Sequence, residues 1–188
     1  MERPTAEEVR GELERTEYKR RYRRALRDTA FTLVVVAAVA ILVATLLLPV
    51  LRTYGGSMSP TLEDGNIVFS LKTANARQGD IIAFYYNNKI LIKRVIGVSG
   101  DWIDIDPDGL VWVNGKALEE SYISELALGE CDITLPYQVP DGRVFVMGDH
   151  RAVSMDSRMS EIGCVAEEQI VGKLVFRVWP LGSFGPIR

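Results

Sequence analysis

The sequence predicts a mainly β protein in which a single N-terminal transmembrane helix precedes an antiparallel β-sheet domain. Two observations carry this prediction. Residues 29–51 form a stretch of 23 positions without a charge, and beyond it short runs rich in valine, isoleucine and aromatic residues alternate with turn residues. The 188 residues therefore divide into a charged tail (1–28), a transmembrane helix (29–51) and a β domain (52–188).

The uncharged stretch is long enough to cross a bilayer as a helix. At a rise of about 1.5 Å per residue it reaches roughly 34 Å, against a hydrocarbon core of about 30 Å. Six of the nine residues at 19–27 are lysine or arginine, so the positive-inside rule predicts a cytoplasmic N-terminus and an extracytoplasmic β domain, anchored in the cell membrane. A buried soluble helix and a cleavable signal peptide are the alternatives, although no A-x-A-like cleavage site follows the stretch.

The charged tail and the β domain differ in net charge. Positions 1–28 hold nine basic and seven acidic residues, which fits either a solvated helix or a disordered tail. The remaining 160 residues hold 13 basic and 18 acidic residues, a net charge of about −5. Nucleic acid requires a broad basic face, so DNA and RNA are not expected partners.

The small number of cysteine and histidine residues limits the metal sites and disulfides that the chain can form. The chain has two cysteines and one histidine, His150, without the spacing of a metal site, and no metal or cofactor is expected. Cys131 and Cys164 both lie on the outer side of the predicted anchor, where an oxidising compartment favours a disulfide between them. Two buried free thiols are the alternative, because spacing does not give the distance between the sulfur atoms.

The β domain reads as short strands joined by tight turns. DPDG at 106–109 and NG at 114–115 separate apolar runs in the way hairpin turns do. No linker is long enough to separate a second domain. The predicted strands lie in the segments NIVFSL, DIIAFYY, ILIKRVIGV, DWIDI, LVWV, RVFVM and KLVFRVW.

Ser57 is a candidate nucleophile. It follows two glycines, Gly55 and Gly56, only six residues after the uncharged stretch. Glycines permit a tight backbone with exposed N–H groups, which an oxyanion hole requires. The same pattern also occurs in ordinary loops, so it becomes informative only together with a base.

Lys93 is the candidate base. In the run ILIKRVIGV it shares one strand face with Leu91 and Val95, while Arg94 lies on the other face. If the Lys93 face is inward, burial disfavours the ammonium and lowers its pKa, which makes the neutral amine a competent general base. The pattern leaves open whether Lys93 or Arg94 points inward, because both faces are mostly apolar.

A polar segment, GDHRAVSMDSR at 148–158, follows the run RVFVM. Its opposite charges and hydroxyl groups suit either an exposed loop or a self-satisfied network that orients another group. A Ser-His-Asp triad would have to use His150, which lies between Asp149 and Arg151 and is more typical of a surface role. The residues alone therefore favour a serine–lysine hydrolase supported by Asp149, Ser154, Asp156 and Arg158.

Four motifs, in order, closely resemble those of bacterial type I signal peptidases. They are GSMSPTL around Ser57, GDIIAF at 79–84, IKRVIGVSGD at 92–101 and the polar segment at 148–158. The resemblance runs from the anchor to about Pro180. It implies a catalytic β domain of the type shared by signal peptidases and SOS-repressor proteases, without metal or cofactor.

The resemblance also implies roles for individual residues. Ser57 would attack the scissile carbonyl and Lys93 would take the hydroxyl proton. Ser154 would hydrogen-bond and orient the lysine, with Asp156 and Arg158 paired nearby. The Ser57 N–H and a group from Gly55 would hold the oxyanion; some relatives have a serine in place of Gly55, which leaves the second donor open. His150 and the pair Ala152-Val153 depart from the common Asn and Asp-Asn without removing a catalytic group.

The implied substrates are secretory preproteins with small residues at −1 and −3 of the cleavage site. Their extended segment would add to a sheet edge at Ile90, Leu91 and Ile92. An apolar surface near Met58 and the C-terminal WPLGSFGPI would rest against membrane lipid.

Three competing interpretations remain. SOS-type repressors share the serine–lysine pair but carry DNA-binding domains instead of an anchor. The eukaryotic and archaeal signal peptidases have histidine in the position of Lys93. A catalytically silent relative, acting as a membrane-anchored chaperone or pilus-assembly factor, should lack the serine or the lysine, and this chain has both.

Overall fold

The computed structural model describes residues 6–73 and 75–187. The chain divides into two compact units, Met1–Leu46 and Leu47–Arg188. The first five residues of the predicted tail lie outside the described residues, and the remainder of that tail is helical.

The N-terminal helix, α1, spans Ala6–Leu47. By length and composition it contains one segment that could cross a membrane, Tyr18–Val43, within which an 18-residue window reaches a mean hydropathy of 2.1. The helix ends four residues before the predicted boundary at residue 51, and Val50–Arg52 is a strand. Pro49 explains the difference, since it lacks an N–H and disfavours helical conformation in the residue before it.

Twelve strands follow α1 in the described residues, together with two 3-10 turns at Glu167–Gln169 and Leu181–Ser183. The strands are β1 (Val50–Arg52), β2 (Ile67–Leu71), β3 (Ile81–Tyr86), β4 (Lys89–Gly97), β5 (Trp102–Ile105), β6 (Val111–Val113), β7 (Lys116–Ala117), β8 (Tyr137–Gln138), β9 (Arg143–Met147), β10 (Val165–Ala166), β11 (Ile170–Trp179) and β12 (Gly185–Pro186).

The larger sheet has the strand order β1-β2-β11-β3-β4-β9-β10, with β12 paired to β11. Its pairs are antiparallel, which confirms the predicted antiparallel β fold. β4 pairs with β3 from Lys89 to Arg94, whereas its pairing with β9 begins only at Arg94. Residues 89–93 of β4 therefore form a sheet edge, as β1 does at the end of the strand order.

The smaller sheet has the order β7-β6-β5-β8. Both predicted hairpin turns are confirmed: residues 106–109 join β5 to β6, and residues 114–115 join β6 to β7. Asn114 and Gly115 have φ values of 52° and 76°, as a type I′ turn requires. This sheet packs its apolar face, including Ile103 and Val111, against Phe145 and Met147 of β9.

The predicted disulfide is not formed. Cys131 and Cys164 are both free thiols. Cys164 is one of the apolar residues buried beside Ile96 and Phe145, whereas Cys131 lies partly exposed. Burial raises the pKa of the Cys164 thiol to about 11, which keeps it protonated and unreactive.

We expect a thiol reagent at pH 7.5 to modify Cys131 in the native protein and Cys164 only after unfolding. Mass spectrometry of the protein before and after denaturation measures this, with Cys131→Ser as the control that removes the native adduct. Two unreactive cysteines that become reactive only on reduction would contradict the structure.

Candidate active site

The two open sheet edges line one groove with a volume of about 500 Å³. β1 and its continuation line this groove together with residues 89–93 of β4. The predicted substrate-binding residues are all among its walls, together with the predicted nucleophile and base. The lining residues are Leu51, Arg52, Thr53, Tyr54, Gly55, Ser57, Met58, Leu62, Lys89, Ile90, Leu91, Ile92 and Lys93.

Ser57 and Lys93 meet at one end of this groove. Lys93 Nζ lies 2.7 Å from Ser57 Oγ, a short hydrogen bond between side chains 36 residues apart in sequence. Lys93 is only 3% exposed. Desolvation by this burial lowers the pKa of the ammonium to about 8, against an opposing contribution from Asp156. About a tenth of the molecules therefore carry Lys93 as a neutral amine at pH 7, able to accept a proton, and this fraction rises with pH.

The sequence left open whether Lys93 or Arg94 points inward, and the structure buries both. Arg94 is 2% exposed and forms a two-point ion pair with Asp149: Nε donates to Oδ1 at 2.8 Å and Nη2 to Oδ2 at 2.7 Å. Burial along β4 increases from the exposed Lys89 to five consecutive buried residues, Lys93 to Gly97, so both faces of the strand are covered there.

The segment at 148–158 could have been an exposed loop or a self-satisfied polar network. The structure shows the polar network. Asp156 and Arg158 form an ion pair at 2.8 Å with both side chains 0% exposed. Asp156 Oδ2 also accepts a hydrogen bond from Gly148 N at 2.9 Å. Arg158 Nη2 donates to the carbonyl of Arg151 at 2.9 Å. The segment is thus closed on itself by charge-assisted hydrogen bonds, which hold its backbone against Ser57.

Gly148 is the point of closest approach between this segment and the serine. A Cβ at this position would lie closer than 3.0 Å to Ser154 Oγ and to the Ser57 carbonyl oxygen. The His150 N–H donates to the same carbonyl at 3.1 Å. Glycine at position 148 therefore permits a contact that positions the nucleophile's main chain.

Ser154 does not make the expected hydrogen bond to Lys93. Its Oγ is buried and has no hydrogen-bond partner within residues 6–73 and 75–187. The reason is geometric: Ser154 Oγ lies against Gly148, while Lys93 Nζ is directed at Ser57. Ser154 nevertheless belongs to the site, because Gly148 brings it next to the Ser57 backbone.

Gly55 does not offer its N–H to an oxyanion. That N–H donates to Asp64 Oδ1 at 2.9 Å, and the φ of +80° at Gly55 turns the chain into this contact. The Ser57 N–H, in contrast, has no acceptor among the described residues. Of the two predicted oxyanion groups, the geometry therefore favours Ser57 alone.

Met58 does not contribute to an exposed apolar surface. It is 4% exposed and packs with Leu62 and Ile81 in the core beneath the groove. Near the C-terminus, by contrast, Trp179, Leu181 and Phe184 are more than half exposed.

His150 lies outside the serine–lysine contact. Its side chain is 35% exposed and its Nε2 is 4.0 Å from Glu125 Oε1. Only its main chain reaches Ser57.

Two partly buried residues near the site were not found from the sequence. Glu120 forms an ion pair with Arg151, and the Tyr122 hydroxyl donates to Glu120 Oε1 at 2.6 Å. Both lie in an irregular segment without periodicity, and Arg151 is 31 residues away from Glu120. The one sequence signal that could have pointed to Glu120 was Arg151, because a charged residue in the segment at 148–158 requires a counter-charge if it is buried.

The chain matches the family model described as signal peptidase, peptidase S26, over residues 26–179. The chain belongs to this family. It is 40% identical over 150 residues to signal peptidase IB of Staphylococcus aureus (strain Mu50 / ATCC 700699), covering 69% of this chain and 77% of that protein. It is 41% identical over 161 residues to signal peptidase I of Bacillus caldolyticus, covering 76% and 87%.

Among solved structures, the chain is similar to a crystal structure of a signal peptidase I from Enterococcus faecalis V583. The two are 30% identical with a TM-score of 0.44, covering 53% of this chain and 97% of that one. The family membership makes the protein a serine-type endopeptidase, as the sequence motifs predicted.

Proposed function

We propose that this signal peptidase removes signal peptides from exported preproteins with Ser57 as nucleophile and Lys93 as general base. The observation that carries the proposal is the 2.7 Å contact between Lys93 Nζ and Ser57 Oγ, with the lysine buried and its pKa lowered to about 8. A serine hydroxyl is a weak nucleophile until a base within hydrogen-bond reach takes its proton.

The proposed reaction proceeds in two steps. Ser57 Oγ attacks the scissile carbonyl carbon while its proton passes to Lys93 Nζ, and the Ser57 N–H donates to the oxyanion. As the C–N bond breaks, the Lys93 ammonium gives this proton to the leaving amine, which leaves an ester on Ser57. A water then attacks the ester, with Lys93 accepting its proton and returning it to Ser57.

Ser154 has a role that fits its unpartnered hydroxyl. The neutral amine accepts the Ser57 proton through its lone pair, and the ammonium formed in this step carries three N–H donors that need acceptors. The Ser154 oxygen, buried beside Gly148 with a vacant acceptor position, can take one of them after a rotamer change. The ion pair of Asp156 and Arg158 keeps this hydroxyl near the reaction.

The groove supports an extended substrate. A strand lying between the two open edges, β1 and residues 89–93 of β4, would receive main-chain hydrogen bonds from both sides. Side chains along such a strand alternate in direction, so residues −1 and −3 point to the same wall. Ile92 and Met58 belong to the apolar layer beneath the groove, which suits small residues at both positions.

The membrane placement is part of the same proposal. The apolar part of Tyr18–Val43, which follows the basic cluster at 19–27, is long enough to anchor the protein. With the basic cluster at 19–27 in the cytoplasm, the catalytic unit would lie outside the cell membrane. Trp179, Leu181 and Phe184 supply exposed side chains of the kind that settle at a lipid interface.

Incubation of the full-length protein, in detergent, with a preprotein whose signal peptide ends in A-x-A tests this function. We expect one cut directly after the second alanine, located by the masses of the products, and no cut with Ser57→Ala. A folded wild-type protein that leaves the preprotein intact, or cuts it elsewhere, would refute the proposal.

His150→Asn is expected to leave the activity and its pH dependence nearly unchanged. Because the Lys93 pKa is about 8, the rate should rise as pH increases through about 8, when the amine loses its proton. A histidine base would give a rise near 6.5 instead. The measurement is kcat/KM from pH 6 to 10 for both proteins. A variant as inactive as Lys93→Ala would reassign the base.

A further inference from the structure

We propose that Glu120 and Tyr122 are positioning residues that hold Ser57 and Lys93 in their reactive arrangement. Both belong to the irregular segment of residues 118–129, here called the strap, which runs between β7 and β8. The inference rests on the proposed function, since it concerns the geometry of the same serine and lysine. Neither residue touches the groove or the two reacting side chains.

Glu120 acts on the serine through Arg151. The Glu120 side chain is 3% exposed and the Arg151 side chain 0%. Arg151 uses all three guanidinium nitrogens: Nη1 and Nη2 donate to the two Glu120 oxygens, and Nε donates to the Gly148 carbonyl at 3.1 Å. Gly148 in turn lies against the Ser57 carbonyl, so the position of Arg151 determines the position of the nucleophile's backbone.

Tyr122 extends the same contact to the lysine strand. Its hydroxyl donates to Glu120, and burial beside that carboxylate raises the pKa of Tyr122, so the hydroxyl remains a donor. Its ring lies under the Arg94 guanidinium, 3.8 Å from ring centroid to Cζ. Arg94 directly follows Lys93 in β4. Glu120 and Tyr122 thus join the backbone that carries the serine to the strand that carries the lysine.

The strap also contacts Arg158 and lies near His150. Arg158 Nη1 donates to the Leu128 carbonyl, and Glu125 faces His150. In the part of the chain that the structure describes, three buried arginines face three buried carboxylates as matched pairs. The pairs are Arg94 with Asp149, Arg151 with Glu120, and Arg158 with Asp156. Loss of the Glu120 charge would leave Arg151 buried without its counter-charge and free to shift.

The expected signature is a loss of kcat without a loss of substrate affinity. Displacing a catalytic group by about 1 Å can lower the rate by about a hundredfold. We expect Glu120→Gln to lower kcat by about tenfold or more while KM stays within about twofold, because the groove walls are untouched. Tyr122→Phe keeps every charge and the ring on Arg94, and should lower kcat by about threefold.

Glu119→Gln is the matched control, since Glu119 precedes Glu120 in the chain but is exposed. It should cleave like the wild type. Assays are run well below the melting temperature of each variant, so that a purely structural role leaves kcat unchanged. Hydrogen exchange of the His150 N–H, which donates to the Ser57 carbonyl, should be faster in Glu120→Gln than in Glu119→Gln.

The outcomes separate this inference from the proposed function. If the wild type cleaves and folded Glu120→Gln keeps both its kcat and its His150 exchange rate, the positioning role is wrong and the proposed function stands. If the wild type does not cleave, the proposed function fails, and the exchange rate alone decides whether the strap orders the serine backbone. If Glu120→Gln does not fold, Tyr122→Phe decides, and an unchanged kcat in that variant refutes the inference.

Discussion

Lys93→Met is expected to abolish cleavage and, at pH 6, to make the protein more stable. The loss of activity should reach several orders of magnitude, because a serine and its base act as a unit. The gain in stability follows from burial. An ammonium that is 3% exposed lacks most of its hydration, whereas a methionine of similar length fills the same space without a charge.

The pH dependence of this gain has a definite sign. The pKa of Lys93 is about 8 in the folded protein, against an ordinary value of 10.5. Between these values the unfolded chain binds more protons, so the stability of the wild type rises with pH from about 8 to about 10.5. Below pH 8 the buried charge costs about 3 kcal/mol, and Lys93→Met should recover much of this at pH 6 and little of it near pH 10.5.

Thermal unfolding in detergent, followed by circular dichroism at several pH values, measures the effect. Ser57→Ala is the matched control: it should be equally inactive but keep the lysine and therefore the pH dependence of the wild type. Residual activity above about a tenth in either variant would exclude the serine–lysine mechanism. An equal melting temperature for Lys93→Met and Ser57→Ala at pH 6 would contradict the desolvation of Lys93.

Gly148→Ala should inactivate the protein without altering either reacting side chain. The added methyl would lie within 3.0 Å of Ser154 Oγ, of Ser154 Cβ and of the Ser57 carbonyl oxygen, and rotating the Ser154 side chain would relieve only the first of these contacts. The serine backbone must therefore move away. We expect kcat to fall by about a hundredfold and the free energy of unfolding to fall by about 1–3 kcal/mol.

Gly182→Ala controls for the substitution itself, because a Cβ there has no neighbour within 4 Å. Its activity should match that of the wild type. The comparison uses kcat at saturating peptide together with the melting temperature. Wild-type activity in Gly148→Ala would show that Ser57 tolerates displacement, and the close packing of the segment at 148–158 would then have no catalytic importance.

The structural elements that could be predicted are those marked by a pattern of neighbouring residues in the sequence. The uncharged stretch, the alternating apolar runs and the turn at Asn114-Gly115 each follow from short-range patterns. The end of α1 was placed too late because hydropathy outweighed Pro49. The alternation of apolar and polar residues could not decide whether Lys93 or Arg94 points inward. Both are buried, since β4 passes from a sheet edge into a position covered on both faces.

The parts of the site that the sequence missed depend on long-range pairing. Glu120 meets Arg151 across 31 residues from a segment without periodicity, and nothing in the local pattern marks it as buried. The disulfide prediction failed for a related reason. An oxidising compartment and an even number of cysteines favour a disulfide, but only the fold shows that Cys164 is packed in the core.

The two edges of the larger sheet that line the groove also bear on solubility. An unpaired strand can template the addition of a strand from another molecule, and this sheet offers two such edges facing one groove. Each edge carries an exposed cation, Arg52 on β1 and Lys89 on β4. Two copies approaching edge to edge would bring these like charges together. The groove can therefore stay open between encounters with a peptide without the protein polymerising through it.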